Sequence, residues 1–245
     1  MSAINLIQKM RKGDIFMHTL RVPEGGTVKE LLETISADPA IEHTLSFDGD
    51  WFQQITQDYK TPEGLFLPET YFFPKSETDV AILKRAYQDL IKYATASFDA
   101  RDPLVRYKNI YETLIVASIL EKEASIPEER TKIARVIINR LERGMPLQMD
   151  PTVIYGLGPS FTGSLTKKDL QKKGPYNTYL YPGLPPTPIC LPSKNAIWSA
   201  LHPAEGDYLY FVSQGDGSHY FSSTLKVHNQ AVQKYLRRQK EVNAK

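Results

Sequence analysis

The chain has 245 residues, and its 30 basic and 28 acidic residues leave a formal net charge of +2. A net charge this small gives no argument for nucleic acid or an anionic membrane surface, so nucleic-acid binding is not expected. The single cysteine, Cys190, excludes an internal disulfide, and no apolar run approaches the ~18 residues of a membrane-spanning helix, so the chain as given is expected to be soluble.

The first predicted elements are a strand, a turn and a helix. Thr19–Pro23 predicts a short strand, and Glu24-Gly25-Gly26 predicts the turn that follows it. Thr27 and Glu30 have the spacing of a capping box, so we expect a helix there that ends before Asp38-Pro39. This order resembles the first half of a LysM-like module, a small glycan-binding unit, although an ordinary small α+β lobe fits the same pattern.

The segment from Asp48 to Lys75 is rich in aromatic and turn-forming residues. Aromatic faces stack on the C–H surfaces of sugars, and nearby carboxylates bind sugar hydroxyls. Glu69 and Tyr71 are therefore candidate glycan-binding residues. Aromatic runs also form buried strands, and that alternative stays open. Residues 76–98 then have apolar positions at helical spacing and predict an amphipathic helix that links two lobes.

The chain is organised around an apolar helix that ends in two glutamates. The stretch from about Pro103 to Lys122 is apolar on nearly every side, which is typical of a helix buried in a domain centre, and Asp102-Pro103 predicts its start. Glu121 and Glu123 are two residues apart, so on a helix they point about 200° away from each other. They cannot both face one cleft, and we expect one of them to face solvent.

A carboxylate at the last turn of a buried helix meets apolar walls and the negative end of the helix dipole. Both disfavour the charged form, so the pKa of that carboxyl should rise. An acid that donates a proton near neutral pH requires such an environment. The alternative is a charged helix end that begins a surface loop.

A second helix is expected directly after the first. Ser125 and Glu128 have the spacing of a capping box, and Gly144 is expected to end this helix. Further on, residues 209–212 and 219–221 flank a glycine-containing turn and predict a hairpin. A last helix is then expected to bury four residues: Leu225, Val232, Tyr235 and Leu236.

Neither a metal nor a cofactor is expected. The five histidines lack zincin-like spacing. Residues 158–163 have two glycines at the spacing of a phosphate loop, but Ser164 follows where a lysine is required. No Gly-x-Ser-x-Gly elbow is present, and Cys190 lies between Ile189 and Leu191, which is typical of a buried thiol rather than a nucleophile.

Several motifs together resemble one known family. The stretch ASILEKEASIPEERTKIARVIINRLERGMPLQMDPTVIYGLG, residues 117–158, is similar to the core of the YceG-like family, the membrane-anchored endolytic murein transglycosylases. Residues 63–74 are similar to the EGxLxPDTY segment of that family, with Glu69 where aspartate is common. The similarity continues, in order and at similar spacing, through residues 174–179, 183–186, 202–204, 208–212 and 221–229.

The resemblance implies a lytic transglycosylase that acts on peptidoglycan glycan strands without a cofactor. In such enzymes one glutamate protonates the glycosidic oxygen and then takes the proton from the muramic-acid O6 hydroxyl. That hydroxyl attacks C1 and closes a 1,6-anhydro ring, so water is not consumed. The family also implies the cell envelope, on the extracytoplasmic face of the inner membrane, an anchor helix that is absent from this chain, and cell-wall synthases (penicillin-binding proteins) as partners.

The same resemblance implies which residues act. Goose-type lysozyme and soluble lytic transglycosylase domains place their glutamate at a helix end, before a Leu-Met-Gln segment and an Ala-Tyr-Asn segment. By that match Glu123, rather than Glu121, is the catalytic residue. Gln148 and Asn177 would then line the cleft near the reacting sugar.

One departure concerns the residue after the glutamate. Ala124 stands where the family usually has threonine, so a hydroxyl that orients the Glu123 carboxyl must come from elsewhere, from Ser125 or a tyrosine. Asp150-Pro151 also suits a turn, and Tyr155 also suits a core. The further substrate-binding candidates are Asp150, Thr152, Tyr155, Tyr176 and Tyr179.

The sequence as a whole predicts an α+β protein of two lobes with a cleft between them. Residues 1–75 are expected to form a LysM-like glycan-binding lobe, and residues 76–245 a larger, mainly helical lysozyme/transglycosylase-like catalytic lobe with a small β-hairpin. The predicted function is endolytic cleavage between MurNAc and GlcNAc that leaves 1,6-anhydroMurNAc ends. The alternatives are a catalytically silent peptidoglycan-binding or scaffold protein, and a lysozyme-like hydrolase whose products are heavier by one water.

Overall fold

The computed structural model describes residues 16–243, with side chains described as far as Arg237, and the predicted α+β class is confirmed. Its strands are β1 (Met17–Arg21), β2 (Ile41–Glu42), β3 (Thr70–Pro74), β4 (Glu77–Thr78), β5 (Tyr210–Ser213) and β6 (His219–Ser222). Its helices are α1 (Val28–Ala37), α2 (Asp79–Asp99), α3 (Ile110–Glu123), α4 (Arg130–Glu142), α5 (Asp150–Leu157), α6 (Lys167–Gln171), α7 (Lys194–Leu201) and α8 (Leu225–Asn243). None of these helices has the length and apolar character that crossing a membrane demands.

The N-terminal part combines two small sheets with one capped helix. Strands β1 and β3 pair antiparallel, with Leu20 opposite Tyr71, and β2 and β4 pair in parallel. The capping box of α1 is confirmed, because Thr27 Oγ1 accepts from the Glu30 backbone N–H and the Glu30 carboxylate accepts from the Thr27 backbone N–H. The division after residue 75 falls between β3 and β4. That division and the LysM-like character stay predictions, and residues 1–15 of the predicted lobe lie outside the described residues.

The central helix α3 is buried as expected but starts later than predicted. Every residue from Thr113 to Leu120 is buried. The helix begins after Asn109, whose side chain accepts a hydrogen bond from the Glu112 backbone N–H (3.0 Å). The predicted start at Asp102-Pro103 is wrong, because the Asp102 carboxylate accepts from the Leu104 N–H (2.8 Å) and closes a turn instead.

The segment between α3 and α4 is a 3₁₀ turn rather than the predicted capping box. Residues 127–129 form this turn without any side-chain cap, and both Ser125 and Glu128 are exposed. Glu129 makes the decisive contact, since its carboxylate accepts hydrogen bonds from the backbone N–H (2.9 Å) and the ring of His219. The turn is therefore fixed by strand β6, from a distant part of the chain.

The C-terminal hairpin is confirmed, with Phe211 opposite Phe221 in the β5–β6 pair. The burial predicted for α8 is wrong for two of its residues, because Leu225 is 55% exposed and Leu236 is 46% exposed. Helix α8 packs on the hairpin strands, which are too narrow to cover its apolar side. Val232 and Tyr235 are only partly buried there.

One continuous hydrophobic core joins the N-terminal part to the helices. It extends from Leu20 in β1 to Leu201 in α7, and Phe66 and Phe73 are among its largest fully buried side chains. Helix α3 packs against α2, α4, α5 and α7, so it lies at the centre of this core. The Lys122 ammonium at its C-terminal end donates to the Gly25 carbonyl (3.2 Å), in the turn before α1.

Neither glutamate at the end of α3 is an exposed residue, since both are at least partly buried, so the expectation that one of them faces solvent is wrong. The side chains of Glu121 and Arg130 are 6% and 8% exposed, and Arg130 Nη2 donates to Glu121 Oε1 at 2.7 Å. Glu121 Oε2 accepts from the Ser193 backbone N–H (2.9 Å) and hydroxyl. The two-residue spacing does point the glutamates in different directions. The start of α4 and the start of α7 nevertheless cover the side of α3 that carries Glu121, where solvent was expected.

This ion pair predicts that Glu121→Gln destabilises the fold. A glutamine keeps the shape but leaves the buried Arg130 guanidinium without a carboxylate, which should lower the free energy of unfolding by about 3 kcal/mol. Glu33→Gln is the control, because its pair with Lys29 is exposed and should contribute less than about 1 kcal/mol. Urea denaturation of the three proteins measures both differences. Equal losses in the two variants would contradict a structural role for Glu121.

Candidate active site

Glu123 is the last residue of α3, and its carboxyl group lies in an environment that favours the neutral form. The helix ends there because Ala124 adopts an extended conformation (φ −93°, ψ 109°). Glu123 Oε2 is buried and has no hydrogen-bond partner within the described residues. Burial, and after it the negative charge of Asp150, raise the pKa of Glu123 to about 7.

Asp150 lies close enough to this carboxyl for its charge to act on it, and Gln148 precedes Asp150 by two residues. Leu147 and Met149 are buried, whereas Gln148 and Asp150 on either side of Met149 are exposed. Gln148 has φ 54°, in the left-handed region that non-glycine residues rarely adopt. Its backbone N–H donates to the Thr178 carbonyl (2.9 Å), and the Met149 N–H donates to Thr178 Oγ1 (3.0 Å).

Tyr179 is the third residue that the structure brings to Glu123. Its hydroxyl donates to Asp150 Oδ1 at 2.5 Å. Burial raises the pKa of Tyr179, and the hydrogen bond to Asp150 and the charges of Asp150 and Glu123 raise it further. The tyrosine therefore stays protonated and holds Asp150. Neither it nor the exposed Ser125 supplies the hydroxyl that the sequence predicted for Glu123 Oε2.

Asn177 and Thr152 are placed behind the site rather than on its surface. The Asn177 amide donates to the carbonyls of Leu170 (3.0 Å) and Lys172 (2.8 Å), and its Oδ1 accepts from the Tyr179 N–H (3.0 Å). Asn177 is 4% exposed, so its polar atoms form hydrogen bonds within the loop rather than with solvent. Thr152 is fully buried, and its hydroxyl contacts the Met149 carbonyl and Thr178. Their binding of substrate stays a prediction, while the contacts give both a role in holding the loop.

Tyr155 and Tyr176 line a neighbouring groove of about 820 Å³ that runs along helix α1. Their rings are 5.0 Å apart between centroids, and the Tyr155 hydroxyl donates to Glu63 Oε2 (3.1 Å). Glu63 Oε1 accepts from the Val28 backbone N–H at the start of α1 (3.0 Å), and burial raises the pKa of Glu63. The groove thus lies between the N-terminal part and the helices, but Glu123 is not among its lining residues, so a cleft around Glu123 stays a prediction.

Glu69 and Tyr71 lie elsewhere. Glu69 forms a half-exposed ion pair with Lys194 (2.7 Å), and Tyr71 is 5% exposed with its hydroxyl bonded to the Leu67 carbonyl (2.8 Å). Both line a depression of about 690 Å³ that shares no lining residue with the α1 groove in the described part of the chain. Tyr71 is a core strand residue, which was the alternative reading, and a glycan role for Glu69 stays a prediction.

Sequence reasoning missed two charged residues, Arg140 and Glu63. Arg140 is 6% exposed and contacts Gln148, and Glu63 is 9% exposed and connects α1 to Tyr155. Arg140 lies at a helical position that follows Ile133 and Ile137 on the buried side of α4. The sequence therefore did contain a signal for Arg140, namely a charged residue at a position where the helical pattern calls for an apolar one. Glu63 stands in a turn-rich segment, where no periodic pattern marks it as buried.

The arrangement can supply a proton near neutral pH. A carboxylic acid with a pKa of about 7 is half protonated there, and the nearby Asp150 carboxylate and Gln148 amide can contact a polar ligand. This combination is suited to general acid catalysis at an oxygen leaving group.

Comparison with known proteins finds relatives that share one name. A Bacillus subtilis protein named endolytic murein transglycosylase is 38% identical over 176 residues, which cover 71% of this chain and 48% of that protein. A Streptococcus pneumoniae protein of the same name is 26% identical, over 96% of this chain and 49% of the relative. The chain thus spans about half the length of the curated relatives it matches.

A solved structure agrees with the fold. The crystal structure of a yceG-like protein from Listeria monocytogenes superposes with a TM-score of 0.72 at 31% sequence identity, covering 94% of this chain and 81% of the other. The description of the YceG-like family matches residues 1–234. On this match over nearly its whole length, the chain belongs to the YceG-like family.

Proposed function

We propose that the chain is a lytic transglycosylase that cuts peptidoglycan glycan strands internally, between MurNAc and GlcNAc, and leaves 1,6-anhydroMurNAc ends. The observation that carries the proposal is the Glu123 carboxyl, which is buried at a helix end with a pKa raised to about 7. The names of the Bacillus and Streptococcus relatives support the substrate class. Glycan strands are then the partner, at the extracytoplasmic face of the cell membrane, and penicillin-binding proteins are the partner class that the family resemblance adds.

The proposed reaction needs one proton carrier. Protonated Glu123 donates its proton to the glycosidic oxygen as the bond from MurNAc C1 to that oxygen breaks. The Glu123 carboxylate then takes the proton from the MurNAc O6 hydroxyl, whose oxygen forms the new bond to C1. The acid is restored, the ring closes, and no water is consumed. Burial, and after it the charge of Asp150, keep Glu123 protonated before the reaction.

Asp150 also favours a second candidate, a lysozyme-like hydrolase. Glycoside hydrolases usually act through two neighbouring carboxylates, and in their reaction a water attacks C1. The products decide between the two reactions, because anhydro ends are lighter by one water than hydrolysed ends. Mass analysis of muropeptides released from purified sacculi distinguishes them.

We expect Glu123→Gln to reduce the release of anhydro-muropeptides by ~10² to 10⁴-fold, because the amide has no proton to donate. Glu128→Gln is the matched control, since Glu128 is exposed on the turn after α3 and should leave the rate unchanged. Both variants should give the circular dichroism of the parent protein. Near-parent turnover by folded Glu123→Gln would refute the assignment, and loss of binding to sacculi would not be expected.

The rate should depend on pH through the Glu123 proton. Because the acid acts in its protonated form, kcat/KM should fall as the pH rises through about 7. Burial is the larger cause of the raised pKa of Glu123 and the charge of Asp150 the smaller one, so Asp150→Asn should move the basic limb of the profile part of the way to lower pH. Profiles of parent and variant between about pH 4.5 and pH 9 measure the shift. A limb that stays in place would show that Asp150 does not act on Glu123.

The same pKa shift affects stability. The pKa of Glu123 is 4.5 in the unfolded chain and about 7 in the folded protein. The stability that follows from this raised pKa is therefore fully present below pH 4.5, and it is lost as the pH rises through about 7. The loss amounts to about 3 kcal/mol when the shift is converted at 1.36 kcal/mol per unit. Glu123→Gln should therefore exceed the parent in unfolding free energy at pH 8 and match it at pH 4.5. Denaturant titrations at both pH values test this, and equal stabilities at pH 8 would contradict it.

A further inference from the structure

Arg140 is a buried cation in the part of α4 that faces the candidate site. It is 6% exposed and forms no ion pair with any described carboxylate. Burial lowers the pKa of its guanidinium. A buried charge without an ion pair is costly to a fold, so the hydrogen bonds of the guanidinium must offset that cost.

The Arg140 guanidinium joins two separate segments. Nε donates to the Leu209 carbonyl (2.7 Å), just before β5. Nη1 donates to the carbonyls of Pro146 (3.0 Å) and Leu147 (2.9 Å), in the segment that leads to Gln148. Nη1 also donates to Gln148 Oε1 (3.0 Å). One side chain therefore fixes both the backbone that enters Gln148 and the end of its side chain.

This contact determines which way the Gln148 amide faces. A guanidinium has only donors, so the atom that it contacts must be the amide oxygen. The amide nitrogen is left to donate elsewhere, on an exposed residue two positions before Asp150, whose charge acts on Glu123. The strained backbone at Gln148, with φ 54°, indicates that the surroundings force this position against local preference.

We propose that Arg140 is a positioning residue that holds Gln148 so that Gln148 Nε2 donates to an acceptor oxygen of the sugar beside the bond being cut. The N-acetyl carbonyl is an acceptor of the required kind on this substrate class. The inference rests on the proposed function and adds a fixed donor to it. A donor fixed before the reaction stabilises the transition state without the cost of ordering it at that moment.

The test is a double-mutant cycle at about pH 5.5, where Glu123 is protonated. Gln148→Met removes the donor and should lower kcat by ~10²-fold with a smaller effect on KM. Arg140→Lys keeps the charge but cannot make all the hydrogen bonds of the guanidinium at once, and should lower kcat by ~10-fold. In the Gln148→Met background, Arg140→Lys should cost less than ~3-fold, because the residue through which it acts is gone. Additive losses would overturn the proposal.

Arg135→Lys is the matched control for a merely structural arginine. Arg135 is on the same helix, is also 6% exposed, and donates to a backbone carbonyl, that of Ala204 (2.6 Å). Its replacement should lower the melting temperature without changing kcat. If Arg140→Lys changes kcat no more than Arg135→Lys does, the positioning role is refuted.

Gln148→Glu keeps the proposal testable if Arg140→Lys does not fold. A glutamate retains an oxygen for Arg140 and gains an ion pair, so it should fold, but it presents no donor. Its kcat should fall as far as that of Gln148→Met, and a near-parent kcat would overturn the proposal. Glu123→Gln in the same assay distinguishes a failure of the proposed function from a failure of the Arg140 role. An active Glu123→Gln would contradict the proposed function. An inactive Glu123→Gln, together with additive losses in the double-mutant cycle, would contradict only the role of Arg140.

Discussion

The main constraint on this structure is the presence of two carboxylates at the end of one apolar helix. Glu121 is neutralised by Arg130 and bonded to Ser193, so its charge also ties α3 to α4 and α7. Glu123 has no cation among the described ion pairs, and its Oε2 has no partner. The same buried environment therefore produces a structural anion at one position and a neutral acid at the other. The difference follows from their opposite directions on the helix, because Arg130 can reach only one of them.

The segments around Gln148 and Tyr179 are held by buried residues, Thr178 and Asn177. Thr178 accepts from the backbones of Gln148 and Met149, and the Asn177 amide closes its own loop while its oxygen fixes the Tyr179 backbone. Tyr179 then holds Asp150. Each exposed polar group at the site is thus backed by a buried hydrogen bond, which is the condition for a catalytic geometry that is set before substrate arrives.

Local patterns predicted the parts of this protein that local forces determine. The Thr27 capping box, the buried centre of α3 and the β5–β6 hairpin follow from spacing and turn residues, and are confirmed. The capping box at Ser125 failed because Glu129 bonds to His219, 90 positions away in the chain, and no local pattern carries that contact. Glu123 was selected by motif order, and its buried position is consistent with that selection. The family motif also selected Asn177, whose buried amide bonds to the carbonyls of its own loop, a contact that the motif alone does not reveal.

The C-terminal hairpin is part of the support of the site rather than an appendage. The start of β5 and the residue before it contact Arg140, since the Leu209 carbonyl accepts from its Nε and the Tyr210 ring lies 5.2 Å from its guanidinium carbon. Strand β6 holds the turn after Glu123 through the contact of His219 with Glu129. The acid is placed by the central helix, and the groups around it by a loop and a hairpin that converge on α4. A change in the hairpin would therefore reach the site through α4, and Glu123 itself would move least because the core holds α3 on several sides.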